Sequence, residues 1–350
     1  MADLVLPDLL YECVGCGKSC TAFQVEVAPA DLARLQQLPT TRELGKPLRV
    51  LDSGRAFLGK DEDGRCSYLT PATRCSIHAD KPLTCQDFPF SAVDTPGGVF
   101  LGASFLCTAV AQGLGPPLEA RREELAGRFG RSESSQDDRW RLWDDLAVDW
   151  PTYLQIEGLM ASSLAADPER GLLTAATRVA RSVGPARGVS EAAPVGEDLV
   201  LGLLTLIETA GEHPDAIAVV HQALHRGQAY PSRALGARVE PARLAPDLPE
   251  WFVEQAFRYL SHLLFRKTLL EPPDVLSRVC LMPLVSDALR FYTRASAQSH
   301  GRGVVLDDFY TAAGILDGRL LLHAGGMESY FQHVARGFLG RSPQPEQDGA

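Results

Sequence analysis

The sequence predicts an α+β fold in which a small, irregular cysteine-cluster domain with short strands packs on a mainly α-helical domain. Two observations carry this: seven of the eight cysteines fall between Cys13 and Cys107, in a turn-rich stretch, and helical periodicity dominates after Gly115-Pro116-Pro117. The expected boundaries are residues 1–113 for the cysteine-cluster domain, 114–341 for the helical domain and 342–350 for a polar, disordered tail.

In the first part, Gln24–Val27 reads as a strand and Pro29 opens a helix with Leu32, Leu35 and Leu38 on one face. Leu48–Leu51 and Ala56–Gly59 read as strands, Asp61-Glu62-Asp63-Gly64 as a hairpin turn delivering Cys66, and Gly98–Phe105 as a strand ending beside Cys107. Helices are expected at Leu118–Phe129, at the tryptophan-bearing Asp137–Trp150 closed by Pro151, and at Tyr153–Ala165. Further helices are expected at Asp198–Thr209, Pro214–His225, Glu250–Leu270, Pro273–Ala295, Leu306–His323 and Ser329–Gly337. Ser182–Glu197 and Pro231–Pro249, rich in Pro, Gly, Ala and Arg, read as loops.

A net charge of -10 and dispersed basic residues argue against nucleic acid as a partner. Apolar stretches such as Leu199–Ile207 are too short to span a bilayer, so no membrane insertion is expected. The first ten residues carry neither a basic nor an apolar signal region, which predicts a cytoplasmic location. In that reducing compartment, thiols persist as metal ligands or catalytic groups more often than as disulfides. Cys280, in an apolar run, reads as a small buried hydrophobe.

Cys13-Val-Gly-Cys16-Gly-Lys-Ser-Cys20 places three thiols on one loop, and a C-x2-C turn lets two sulfurs face one ion. Gly15 and Gly17 permit positive φ, which can aim amides at sulfur. Cys66, Cys75, Cys85 and Cys107 follow. Thiolates crowded without a cation repel and stay protonated, whereas a metal removes that cost; Lys18, Arg65, Arg74 and Lys81 stand nearby to offset residual charge. Seven thiols exceed the four of a mononuclear zinc site, which favours an iron–sulfur cluster while leaving Zn open. Radical S-adenosylmethionine chemistry is set aside: this loop reads C-x2-C-x3-C, the reverse of the usual order, and no alternating strand–helix barrel follows.

The motifs Cys66-Ser-Tyr-Leu, Cys75-Ser-Ile-His and Lys81-Pro-Leu-Thr-Cys85-Gln-Asp-Phe-Pro-Phe90 resemble the YkgJ-type cysteine-cluster family, described as zinc- or iron-chelating domains, over roughly residues 11–110. The resemblance implies Cys13, Cys16, Cys20, Cys66, Cys75 and Cys85 as metal ligands, with Cys107 matching a later family cysteine. Ser19 departs from the pattern, standing where the loop often has the first of a Cys-Cys pair, and His78 and Lys81 replace the usual Tyr and Arg. The whole chain, with Glu254-Gln-Ala-Phe-Arg-Tyr-Leu, more loosely resembles the flagellin lysine N-methylases. That resemblance implies S-adenosylmethionine as a methyl donor and a protein or peptide as substrate.

On the helix expected at Glu250–Leu270, Val253, Ala256, Phe257, Leu260, Leu263 and Leu264 form a core face, while Glu254, Arg258, His262 and Arg266 form a polar stripe. Arg258 and Arg266, with His262 between them, could hold a carboxylate or phosphate of a substrate or cofactor; the alternative is a solvated surface pairing. His221 and His225 lack the Glu of a metalloprotease helix, and no glycine-rich loop follows a strand as a doubly wound nucleotide site requires. Three functional classes stay open: an enzyme modifying a protein, a carrier of metal or electrons, and a zinc-clamped scaffold.

Overall fold

In the first sheet Glu26–Val27 and Leu48–Val50 both pair antiparallel with the central Ala56–Leu58, the latter two strands being joined by a short turn. The computed structural model describes residues 4–45, 47–130, 139–183, 197–209, 214–321 and 326–340, so the expected tail at 342–350 and most of the expected loop at 182–197 lie outside the described residues. Two compact units result: Leu6–Ala92 with Ala103–Arg128 forms one, and the remaining described residues form the other. The architecture is α+β, with small sheets of two or three strands among many helices.

In the first unit, Pro at the first position starts the helix Pro29–Gln37, since its missing N–H is one that a helix start leaves unpaired. Leu35 on this helix is fully buried and joins Val27, Ala56, Leu58, Tyr68 and Ile77 in one hydrophobic cluster, with Leu32 and Leu38 partly buried against it. Thr41 and Tyr68 satisfy each other's hydroxyls inside the unit at 2.8 Å. Cys66, Cys75 and Cys85 pack on the outside of the same cluster. The helix expected at Leu118–Phe129 begins as a 3-10 turn, Leu118–Arg121, and becomes α-helical over Arg122–Phe129.

The second unit is organised around the helix Val275–Ser299, most of whose residues are buried. Asp274 starts it by accepting the Ser277 N–H at 2.8 Å, satisfying an otherwise unpaired donor. Gly171–Val183, Glu197–Thr209, Leu306–Ile315 and Glu328–Phe338 pack around it. Gly171–Val183 was not among the expected helices, although Leu172, Ala175, Ala176, Val179, Ala180 and Val183 recur at helical spacing and are all buried. The helix expected to run from Leu306 changes to a π-turn at Leu316–Leu321.

Where a helix was expected over Asp137–Trp150, the described part is a hairpin of Arg139–Trp143 and Leu146–Asp149. Its aromatic and β-branched residues suit a pleated surface, and Asp144 adopts φ 49 at the turn. Pro151 lies in the first turn of the following helix, Trp150–Ala166, and closes nothing. Asp149 caps this helix by accepting the Thr152 N–H at 3.0 Å. The expected loop at Pro231–Pro249 likewise contains all but the first residue of a small hairpin, Tyr230–Ser232 against Ala237–Val239.

Replacing Leu35 with Ala removes the centre of the cluster beneath three of the cysteines, and should destabilise the first unit by about 2 to 5 kcal/mol. Urea unfolding followed by a probe within that unit measures this; a loss below about 1 kcal/mol contradicts the packing described.

Candidate metal centre

Left-handed backbone shapes the first cysteine loop, with φ 63 at Gly15 and φ 71 at Gly17. At Gly17 a Cβ would also press on the Leu69 and Thr73 side chains, at 3.1 Å and 3.3 Å. Gly17 precedes the short helix Lys18–Ala22, which carries Cys20. The Thr73 hydroxyl donates to the Gly15 carbonyl at 2.8 Å and ties the loop to the segment that supplies Cys75.

Two successive tight hairpins then deliver Cys66 and Cys75. Lys60 bridges Cys66 across the Asp61–Gly64 turn, and Leu69 bridges Cys75 across the Thr70–Thr73 turn. Asp61 fixes the first by accepting the Arg65 N–H at 2.8 Å, while Thr70 fixes the second by accepting the Arg74 N–H at 3.1 Å. Cys20 meets this structure through its carbonyl, which accepts the Cys66 N–H at 3.1 Å and the Lys60 ammonium at 2.8 Å.

Cys85 sits on the helix Leu83–Asp87, started by Pro82. Asp31 holds that start by accepting the Leu83 N–H at 2.8 Å, and Arg34 binds the Asp80 carbonyl at 2.5 Å. Cys107 lies at the start of Thr108–Gln112. The chain beyond that helix pairs back on the first loop, where Glu12 N–H donates to Leu114 O at 2.8 Å and Tyr11 N–H to Pro116 O at 3.0 Å.

All seven of these cysteines line one cavity of about 500 Å³. Its remaining wall is largely apolar, with Phe23, Leu58, Tyr68, Ile77 and Phe88. Among the described residues, the charged or titratable side chains lining it, thiols and tyrosines apart, are Lys60, Arg74, His78 and Lys81, and no Asp or Glu lines it. Of the four cations expected nearby, Arg74 and Lys81 line the cavity. Lys18 does not, and Arg65 donates to the Thr70 carbonyl at 3.1 Å. Lys60 was not singled out in the sequence; its position opposite Cys66 across an Asp-Glu-Asp-Gly turn was the available signal.

All eight cysteines are free thiols. Burial pushes the Cys85 thiol up to about 12, and thiolate charge at Cys66, Cys20 and Cys75 adds to it. Burial, then the charge of Cys66, Cys75, Cys16 and Cys13, raises Cys20 to about 11. Burial also moves Cys66, Cys75 and Cys107 upward, opposed in each case by backbone N–H donors. Burial lowers the Lys60 ammonium, while neighbouring thiolates at Cys66 and Cys20 act in the other direction.

The donor set therefore suits a soft, thiophilic metal and resists ionising without one. Among the described residues, no group of three or more His, Cys, Asp or Glu is already placed to hold a metal ion. The thiols surround the cavity without closing on one point, and ligation calls for them to turn inward.

In the second unit, Cys280 is fully buried within Val275–Ser299. Arg258, His262 and Arg266 do not form one exposed stripe. Arg258 is half-buried, whereas His262 is buried and stacked on Phe265 at 6.1 Å. Arg266 is buried against Asp317 at 3.5 Å and donates to Thr268 at 3.0 Å. On the apolar side, Ala256, Leu260, Leu263 and Leu264 are buried as expected, but Phe257 is 37 % exposed and Phe252 and Tyr259 take interior places.

Because the raised thiols keep their protons more firmly folded than unfolded, their contribution to stability is complete below the ordinary thiol value of 9.0 and is lost as pH climbs through about 11 to 12. Two outcomes are expected. With chelator present, the unfolding midpoint of the first unit should fall as pH rises over that window. At pH 7, metal binding should release about one proton per ligated thiol. Calorimetric titration in buffers of differing ionisation heat measures the release, and a buffer-independent heat contradicts it.

Comparison with curated proteins and with solved structures gives no match. The cysteine-cluster resemblance is shown for one stretch of the chain: residues 12–106 match the family CxxCxxCC, described as "Putative zinc- or iron-chelating domain".

Proposed function

We propose that the first unit is a thiolate metal centre built from Cys13, Cys16, Cys20, Cys66, Cys75, Cys85 and Cys107, with iron–sulfur favoured over zinc as its occupant. The observation that carries this reading is one cavity lined by all seven thiols and, among the described residues, by no carboxylate. Hard cations prefer oxygen donors, so a wall of sulfur excludes magnesium and calcium and selects zinc, copper(I) or iron–sulfur. A lone zinc takes four donors closed around one point; seven donors spread about 500 Å³ suit a larger centre better.

The chain's own residues set the conditions for such a centre. Lys60, Arg74 and Lys81 offset the negative charge of several thiolates, and the apolar wall limits water. An iron–sulfur cluster there would supply one-electron chemistry, which makes carriage of electrons to a partner, or support of a modification reaction, the activity class this reading favours.

Protein purified without oxygen should be brown and carry iron and acid-labile sulfide in roughly equal amounts, bleaching on reduction. Colourless protein with tightly held zinc and no sulfide would overturn the iron–sulfur assignment and leave the centre a structural clamp.

A further inference from the structure

We infer that the seven thiols divide into two ligand sets, a closed set of Cys20, Cys66, Cys75 and Cys85 and an open set of Cys13, Cys16 and Cys107, the open set holding a second metal with one position left for a small anionic ligand. This rests on the metal-binding reading above and goes beyond it.

The backbone makes the division. Cys66, Cys75 and Cys85 pack on the one cluster that contains Tyr68 and Ile77, and the Cys20 carbonyl is bonded to the Cys66 N–H at 3.1 Å. Cys13 and Cys16 precede the left-handed Gly17, and Cys20 follows it on the short helix Lys18–Ala22. Cys107 joins Cys13 and Cys16 because the chain after its helix pairs with Tyr11 and Glu12, immediately before Cys13, at 3.0 Å and 2.8 Å. Gly115 permits this pairing: it adopts φ 106, and a Cβ there would lie 2.4 Å from the Glu12 nitrogen.

The two sets also differ in what they face. A second, polar cavity of about 400 Å³ adjoins the first, and Cys13 is the one thiol of the seven that lines it. Lys81 lines both cavities, and among the described residues its ammonium has no hydrogen bond or ion pair. The two arginines of the second cavity are engaged, Arg121 with Glu124 at 2.6 Å and Arg128 with Asp87 at 2.6 Å, and His78 and Glu12 also line it. Four thiolates saturate a tetrahedral metal, whereas three leave a position for an exogenous donor, as in catalytic zinc sites. A small anion bound there would reach the metal beside Cys13 with Lys81 as its counter-charge.

Cobalt(II) titration of the full chain tests the division, with azide as the probe anion. Wild type should take up cobalt in two phases. The C13S/C16S variant should lose one phase, cutting uptake about two-fold, and keep the thiolate-to-cobalt absorption of the other. The C66S/C85S variant should show the reciprocal loss. Azide should shift the visible bands of wild type and leave those of C13S/C16S unchanged. Should C66S/C85S fail to fold, C13S/C16S and the azide series still decide the matter, since Cys13 is exposed and Cys16 is only half-buried. Uptake in a single phase, or loss of all cobalt from folded C13S/C16S, overturns the division and leaves the metal reading standing. No cobalt uptake by wild type overturns both.

Discussion

Seven thiols gathered in an apolar cavity cannot all ionise unless positive charge is placed among them. Burial alone raises each thiol that lies deep, and every neighbour that does lose its proton makes the next loss harder. This constraint explains why Lys60, Arg74 and Lys81 line the cavity and, among the described residues, no carboxylate does. It also explains the choice of backbone. Tight hairpins, left-handed glycines and a proline-started helix bring the cysteines around one cavity while a modest hydrophobic cluster beneath Cys66, Cys75 and Cys85 holds the scaffold.

The second unit handles buried charge by a different route, pairing the buried Arg266, Lys267 and Arg278 with carboxylates. Lys267, 3 % exposed, donates to Glu157 at 2.7 Å and rests over the Phe100 ring at 3.8 Å, with Trp150 and Tyr153 nearby. Arg266 faces Asp317, which also accepts from Tyr259 at 2.9 Å. Glu208 accepts from Ser232 and Tyr292 at 2.7 Å and 3.0 Å. Breaking one partner of such a pair leaves an uncompensated charge, whereas the intact pairs mainly specify how the helices meet. Arg266, read in sequence as a possible anion ligand, is thus already committed to a carboxylate of its own chain.

What was legible beforehand followed from local chemistry. The cysteine spacing, the Asp61–Gly64 turn and the Pro29 helix start are set by neighbours in sequence, and each appears where its residues require. The same holds for the stripe through Leu35. Long-range partners were not legible: Asp317 lies far along the chain from Arg266, and nothing local marks that pairing. The hairpin at Arg139–Asp149 was hidden because Trp140 and Trp143 fit a helical stripe as well as a strand, and because Pro151 reads equally as a stop or a start. The gathering of Cys107 with the first loop depended on pairing between residues 11–12 and 114–116, which no motif announces.

X-ray absorption at the edge of whichever metal accompanies the purified protein tests the central claim most directly. A first shell dominated by sulfur, at about 2.3 Å, is the result this account predicts, since seven thiols and, among the described residues, no carboxylate line the cavity. A shell dominated by oxygen or nitrogen donors would contradict it, because the metal would then be held by groups other than the seven thiols.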